Sequence, residues 1–189
     1  MRPEPRGART RNRRFVFRAF ILALLCVALQ GCSVATSSGG EHTETTVARI
    51  TDGDTVNISP EVWGNGTVRL IGVDTPERGQ PLYEEAAVFA EDNLGGERVT
   101  LELDAEVEDD YGRLLAYVYR SDGSMFNEAL VREGYAQVAT FPPNTRHLDR
   151  LEKAQEEARE AGRGTWGLPQ GEACQLRDRG NGIGGGCGG

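Results

Sequence analysis

The chain has 189 residues and a formal net charge of −8, with 38% hydrophobic and 26% charged residues. This length accommodates one domain with appendages, and the composition is ordinary for a folded soluble protein. The first 31 residues hold seven Arg and one Glu, a net of +6, which leaves −14 for the remainder. That acidity excludes bulk attraction as the main source of affinity for nucleic acid, so local arginines or a bound cation would be needed.

The amino-terminal segment has the form of an export signal. An Arg-rich start is followed by eleven uncharged residues, 19–29, which are too few to span a bilayer as a helix of about 20 residues. Residues 29–32 (Leu-Gln-Gly-Cys) then have the form of a lipobox, where cleavage leaves a lipid-bearing Cys32 as the first residue. We therefore predict a signal peptide over 1–31 and an exported, membrane-anchored lipoprotein. The alternative is simple secretion with Cys32 free.

Hydrophobic periodicity predicts the elements that follow. A Ser- and Gly-rich tether covers residues 32–44. Period-two alternation predicts strands at 45–51, 54–58, 67–73, 98–104 and 113–120, and helical spacing predicts helices at 81–94, 125–133 and 145–161. A helix between the third and fourth of five strands, with two more at the end, predicts a mainly β fold with α-helices, an OB-type barrel. This domain spans 45–167, and the Gly-rich tail 168–189 has too little apolar surface to fold unaided.

Two cysteines remain once the signal is removed and Cys32 is acylated. Cys174 and Cys187 form a possible disulfide in an oxidising compartment. Zinc is the alternative ligand of this pair. Two thiolates without nearby His or further Cys cannot complete a tetrahedral zinc site, which favours the disulfide.

Three polar clusters carry residues that a strand-and-turn scaffold does not require. They are Asp-Gly-Asp-Thr at 52–55, Arg-Leu-Ile-Gly-Val-Asp-Thr-Pro-Glu at 69–77, and Asp-Asp-Tyr-Gly-Arg-Leu-Leu-Ala-Tyr at 109–117. Taken singly, each has a purely structural interpretation. The first would be a hairpin turn, the second an edge strand that ends in a Pro turn, and the third a loop that leads into a strand. Taken together, they resemble the signature of the staphylococcal nuclease family. The resemblance extends from about residue 45 to residue 166.

The chemistry of phosphodiester cleavage suits these residue types. Charge grows on the phosphate in the transition state, and a divalent cation and Arg forks stabilise it. The resemblance implies that Asp54, Asp74 and the carbonyl of Thr75 bind Ca²⁺, a cation that prefers hard oxygen ligands, while Asp52 lies just outside. It also implies endonucleolytic cleavage of DNA and RNA that leaves 3′-phosphates.

The remaining roles follow from the same resemblance. Glu77 matches the general base that activates the attacking water. Arg69 and Arg113 match the two arginines that clamp the phosphate, a role in which Lys is not equivalent. Tyr111 matches a position that touches the phosphate or stacks near the nucleotide. Tyr117 is either a wall of the substrate pocket or a core residue.

Two departures from the family pattern concern substrate binding. Asp110 stands where the archetype has Lys, which removes a cation beside the phosphate site. The archetype's pocket tyrosines are missing from residues 139–144, where Phe141 is the available aromatic side chain.

We expect a monomeric nuclease that acts on nucleic acid and is tethered through a lipid anchor. Two other functions stay open at this stage. One is a nucleic-acid-binding barrel that has lost catalysis, whose expected mark, the loss of Glu77 or of an Arg, is not seen here. The other is a surface lipoprotein whose barrel presents the Gly-rich tail to a partner.

Overall fold

The structure, a computed structural model, describes residues 42–185 and residue 187. The predicted signal peptide, Cys32 and most of the predicted tether therefore lie outside the described residues. The first strand begins at His42, three residues earlier than predicted, so the end of the predicted tether is strand. Within the described part of the chain, no helix is both long and apolar enough to cross a bilayer.

The strands are β1 (His42–Ile50), β2 (Thr55–Val62), β3 (Asn65–Leu70), β4 (Val73–Asp74), β5 (Arg98–Glu102), β6 (Leu114–Tyr119) and β7 (Gln137–Val138). Five of them close into a barrel in the order β1-β2-β3-β6-β5, in which only β3 and β6 pair in parallel. The helices are α1 (Tyr83–Leu94), α2 (Phe126–Arg132), α3 (Leu148–Glu160) and the short α4 (Gln170–Ala173), and a 3-10 helix spans Gly164–Gly167. The predicted barrel and its three long helices are confirmed.

Alternating side chains explain why the barrel forms. In β3 Val68 and Leu70 are buried, while Arg69 between them is directed away from the barrel interior. On α1 the buried residues Ala86, Ala90 and Leu94 form the single apolar stripe of an amphipathic helix. Each fully buried Val or Leu contributes roughly 1.5–3 kcal/mol, so the barrel interior is a rigid support for the residues on its rim.

A second, two-stranded sheet sits at the end of β3 and was not predicted. β4 pairs antiparallel with β7, so that Asp74 lies opposite Gln137 and Val73 opposite Val138. Gly72 adopts a positive φ of 78° and turns the chain from β3 into β4. The two-residue turn at Ile71 and Gly72 therefore brings Asp74 back beside the outward face of β3.

The folded part extends past Trp166, contrary to the expected tail. Residues 170–173 form α4, and Ala173, Leu176 and Ile183 are buried in a small cluster against Trp166 and Leu168. Cys174 and Cys187 form a disulfide with a Cα–Cα distance of 5.5 Å, which is the pairing expected from the sequence. The composition of this segment did not indicate that it is folded, because a disulfide and polar contacts hold it in place. It has no large apolar core of its own.

Candidate active site

A cavity of about 600 Å³ opens on the face of the barrel where the three polar clusters meet. Its walls carry seven carboxylates and three guanidinium groups. The carboxylates belong to Asp52, Asp54, Asp74, Glu77, Glu106, Asp109 and Asp110, and the guanidinium groups belong to Arg69, Arg113 and Arg179. All the predicted catalytic and metal-binding residues line this one cavity. The excess of negative charge makes it attractive to a cation before any phosphate arrives.

Asp54 is held at the bottom of the site by the segment that follows β4. Its Oδ2 accepts hydrogen bonds from the backbone N–H of Thr75 (2.8 Å) and from Thr75 Oγ1 (2.9 Å). Gly53 permits this approach, because a Cβ there would lie 2.7 Å from Thr75 Cγ2 and 2.9 Å from the Cβ of Ala86. Burial raises the pKa of Asp54 to about 6, although Arg69 opposes that shift. A cation nearby would therefore stabilise the ionised form of Asp54.

The Arg69 side chain extends from β3 and contacts the carboxylates of both Asp54 and Asp74. Its Nη1 donates to the carbonyls of Leu70 and Val73, each at 2.9 Å, which fixes the guanidinium plane. Its Nη2 lies 3.3 Å from Asp54 Oδ2 and 3.4 Å from Asp74 Oδ1. The two carboxylates therefore converge on one small volume, and Arg69 is fixed at its edge.

The donor set around Asp54 and Asp74 fits a calcium ion. Both carboxylates are buried, with 7% and 6% of the residue exposed, and they present hard oxygen atoms to a common volume. Thr75 follows Asp74 directly and adds a backbone carbonyl to the same turn. Among residues 42–185 and 187, no group of three or more His, Cys, Asp or Glu side chains is arranged around one point for a metal. A cation here would therefore complete its coordination with water and phosphate oxygens.

Glu77 lies on the exposed rim of the same cavity. Its backbone N–H donates to Gln80 Oε1 at 2.7 Å and its carbonyl accepts from the N–H of Gln80, so a tight turn fixes the backbone before α1. The side chain stays accessible to solvent. A carboxylate in this position can take a proton from a water molecule that enters the cavity.

Arg113 is oriented by Asp109, a residue to which the sequence analysis gave no role. Arg113 Nε donates to Asp109 Oδ2 at 2.7 Å, and Asp109 Oδ1 accepts the backbone N–H groups of Tyr111 and Arg113, each at 3.0 Å. Burial alone would raise the pKa of Asp109, but these hydrogen bonds and the Arg113 charge lower it below its ordinary value. Asp109 therefore stays ionised and keeps the Arg113 fork in place.

Two exposed aromatic rings flank the cavity. Tyr111 is 85% exposed and the Arg113 guanidinium lies 5.3 Å from its ring centroid, while Phe141 on the opposite loop is 62% exposed. Exposed rings beside guanidinium groups provide stacking surfaces for bases. Phe141 thus supplies an aromatic surface in the segment that lacks the archetype's tyrosines.

Tyr117 is not part of the cavity wall. It is 1% exposed, it does not line the cavity, and its hydroxyl donates to Asp104 Oδ2 at 3.2 Å. The structure therefore favours its interpretation as a core residue over that as a substrate-binding one. The His147 ring packs edge-on against the Tyr117 ring, and its Nε2 lies 2.9 Å from Glu102 Oε2.

Arg179 is a second cavity residue to which the sequence alone assigned no role. It comes from the segment after Trp166, and it binds Asp74 through two hydrogen bonds, Nε to Oδ2 at 2.7 Å and Nη2 to Oδ1 at 2.9 Å. Nothing in its local sequence indicates a partner 105 residues away. The one available signal was the pair Cys174 and Cys187, which brackets it.

Comparisons with known proteins agree with this geometry. Residues 67–167 match the family described as staphylococcal nuclease homologue. The chain is 42% identical over 126 residues to a thermonuclease of Staphylococcus intermedius, covering 64% of this chain and 74% of that protein. It is 37% identical over 140 residues to a thermonuclease of Staphylococcus hyicus, covering 71% and 81% respectively.

A third relative comes from another genus. The SPbeta prophage-derived endonuclease YokF of Bacillus subtilis is 37% identical over 135 residues, which cover 67% of this chain and 45% of that protein. The region matched by the family, residues 67–167, contains Arg69, Glu77 and Arg113, which line one cavity. The chain belongs to the staphylococcal nuclease family.

Proposed function

We propose that this protein is a calcium-dependent endonuclease that hydrolyses the phosphodiester bonds of DNA and RNA and leaves 3′-phosphates. The observation that carries the proposal is the convergence of Arg69, Glu77 and Arg113 on the cavity that holds the Asp54 and Asp74 pair. A barrel that only binds nucleic acid has no need of an exposed carboxylate on the rim of this cavity, where Glu77 lies. The names of the relatives support nuclease activity.

The residues of the cavity divide the chemistry among them. Arg69 and Arg113 would hold the phosphate from two sides and neutralise the charge that grows on its oxygens. Glu77 would accept a proton from the attacking water, a contribution of about 10² to 10⁴ in rate. The Tyr111 and Phe141 rings would stack on neighbouring bases and exclude water from one side of the scissile bond.

Asp54, Asp74 and the carbonyl of Thr75 would hold the calcium ion. When bound, the ion supplies positive charge to the phosphate and lowers the cost of bringing an anionic substrate into an acidic cavity. The three hydrogen-bonded groups around Asp54 keep that carboxylate in place before the ion arrives.

Export and anchoring belong to the same proposal. The Arg-rich start, the eleven-residue apolar stretch and the Leu-Gln-Gly-Cys sequence at 29–32 support a lipoprotein signal with lipid attached at Cys32. A disulfide between Cys174 and Cys187 agrees with an oxidising environment outside the cytoplasm. The substrate would then be extracellular nucleic acid.

The test is cleavage of single-stranded DNA by the purified protein with Ca²⁺ and with chelator. Wild-type protein should cut only with Ca²⁺, and its products should resist extension at the 3′ end until a phosphatase has treated them. Glu77→Gln and Arg113→Lys should each lower the rate by about 10² or more. Glu84→Gln on the exposed first turn of α1, and Arg98→Lys on the exposed end of β5, are matched controls that should keep full activity. Folded wild-type protein that binds DNA without cutting it would contradict the proposal.

A further inference from the structure

The segment around Arg179 is a built loop rather than a loose tail. We call residues 177–182 the arginine loop. The Asp178 carboxylate accepts backbone hydrogen bonds from Gly180 (3.1 Å), Asn181 (2.8 Å) and Gly182 (3.1 Å), which close the turn that follows Arg179. The Cys174–Cys187 disulfide closes a ring of chain that contains the whole loop. The backbone on both sides of Arg179 is therefore restrained.

The arginine loop docks on β7, the strand paired with β4. The backbone N–H of Arg179 donates to Gln137 Oε1 at 3.0 Å, and Gln137 Nε2 donates to the Arg177 carbonyl. Asn181 Nδ2 donates to the Val138 carbonyl at 2.9 Å. Because Gln137 lies directly opposite Asp74 in the β4–β7 pair, the same contacts that fasten the loop also set Arg179 beside Asp74.

Helix α3 fastens the other side of the arginine loop. Arg159 Nη2 donates to the Asn181 carbonyl at 2.7 Å, and Gln155 Nε2 donates to Asn181 Oδ1 at 2.9 Å. Gln155 Oε1 in turn accepts from the backbone N–H of Val138 at 2.8 Å. The loop, α3 and β7 thus form one hydrogen-bonded unit behind the acidic pair.

The Arg179 fork engages both oxygens of Asp74. The distances of 2.7 and 2.9 Å are shorter than the 3.4 Å that separates Arg69 Nη2 from the same carboxylate. A bidentate, charge-assisted pair of this kind is among the stronger polar contacts in proteins, and here only 20% of the Arg179 side chain is exposed. Asp74 is also one of the two carboxylates that fit calcium. A cation that binds Asp74 must therefore share it with Arg179.

We propose that Arg179 is a positioning residue of the active site that competes with the divalent cation for Asp74, so that the arginine loop sets the affinity of the site for calcium. The inference rests on the proposed function, because it concerns the metal of that same site. Two positive charges that share one carboxylate in a partly buried cavity repel each other, and removal of one strengthens binding of the other. The third guanidinium also offsets part of the excess negative charge of the cavity in the absence of metal.

The experiment measures calcium binding directly, by titration calorimetry on the oxidised full-length protein, without substrate. Arg179→Gln removes the charge and should bind Ca²⁺ about tenfold more tightly than wild type. Arg179→Lys keeps the charge but loses the fork, and it should gain less than Arg179→Gln. Arg177→Gln is the matched control, because its exposed side chain belongs to the same loop and carries the same charge, and its gain should stay well below that of Arg179→Gln even though Arg177 borders a small cleft beside Asp74 and Thr75. Thermal unfolding in chelator checks that each variant is folded.

The outcomes separate this inference from the proposed function. Unchanged or weaker calcium binding in folded Arg179→Gln, with wild type binding normally, would overturn the inference and leave the nuclease proposal intact. If Arg179→Gln does not fold, Arg179→Lys decides, and a calcium affinity at or below that of wild type overturns the inference. An equal gain in Arg177→Gln would also overturn it, since the effect would then come from the net charge of the loop. Absence of calcium binding in every protein would overturn both the inference and the calcium dependence of the proposed enzyme.

Discussion

Individual residues of the site are held in place by hydrogen bonds to their neighbours. Asp109 fixes Arg113, two backbone carbonyls fix Arg69, and Thr75 fixes Asp54. Groups held in this way lose little conformational entropy when the substrate arrives, which is how preorganisation lowers a barrier. Asp110 differs from all of these. It lies exposed on the cavity rim and adds negative charge where a phosphate must enter.

Asp110→Lys should strengthen substrate binding, because it replaces a repulsive charge at the cavity rim with an attractive one. We expect the KM for single-stranded DNA to fall about fivefold at low salt, with kcat little changed, and the gain to vanish at high salt. The measurement is steady-state kinetics at several salt concentrations. Asp92→Lys on the exposed face of α1 makes the same change of charge outside the cavity and serves as the control. An equal gain in both variants would show that net charge, rather than the position of Asp110, limits binding.

Elements of the fold are predictable where their periodicity is simple. The alternation of β1 to β3 and the 3.6-residue stripes of α1 and α3 place the helices and most strand ends within three residues of those observed. The three polar clusters meet because each lies at the end of a barrel strand. The sequence left two interpretations of Tyr117, because β6 is covered on both faces near its end, where Tyr117 and Val118 are both buried, and alternation then does not identify the buried face.

The position of Arg179 could not be predicted either, and the physical reason is different. Its Gly-rich sequence has no hydrophobic period, and its position depends on contacts between side chains far apart in sequence, such as Gln137 with the Arg179 backbone. The same holds for the two-residue strands β4 and β7, which are too short for any periodic signal. Long-range polar contacts of this kind are visible only in the folded chain.

The end of α2 packs against the start of the 3-10 helix through two glycines, Gly134 and Gly164, whose backbones are in contact. Gly134 has a φ of 75°, and a Cβ there would overlap the carbonyl oxygen of Arg163. Gly134→Ala should therefore lower the free energy of unfolding by about 3 kcal/mol, the sum of a left-handed backbone and a backbone clash. Gly123→Ala is the matched control, since Gly123 has a φ of 80° with open space around it, and it should cost about 1 kcal/mol. Urea unfolding measures both, and equal losses would show that the clash is relieved by a shift of the 163–164 backbone.

At the scale of the whole molecule, buried charge has opposite effects at the active site and in the scaffold. Burial raises the pKa of Asp54 to about 6, so its ionisation above that pH works against folding. Glu102, at the end of β5, shows the reverse. Burial alone would raise its pKa, but hydrogen bonds from Tyr119, Arg146 and His147 outweigh burial and lower its pKa to about 2. Ion pairs of the scaffold, such as those of Glu102, thus offset the free-energy cost of burying acidic side chains in the cavity.

Glu102 ties the barrel to the start of α3, and this tie should depend on pH. Its Oε1 accepts from Arg146 Nη1 at 2.8 Å and its Oε2 accepts from Tyr119 Oη at 2.7 Å. Because the folded pKa of about 2 lies below the ordinary value of 4.5, the ionised group stabilises the fold fully above pH 4.5, and that contribution is lost as the pH falls toward 2. Glu102→Gln should therefore lower the free energy of unfolding by roughly 2–3 kcal/mol at neutral pH.

Urea unfolding of wild type and Glu102→Gln across the acid range tests this expectation. The difference between the two proteins should shrink steadily below about pH 4.5, because protonated Glu102 resembles Gln in charge and shape. Glu152→Gln, on the exposed face of α3, controls for the loss of one acidic group and should stay close to wild type at every pH. A Glu102→Gln deficit that persists undiminished near pH 2.5 would mean that the carboxylate acts through packing rather than charge. The stability of the barrel in acid would then have to come from other ion pairs, of which Glu128 with Arg132 and Arg150 is the next to test.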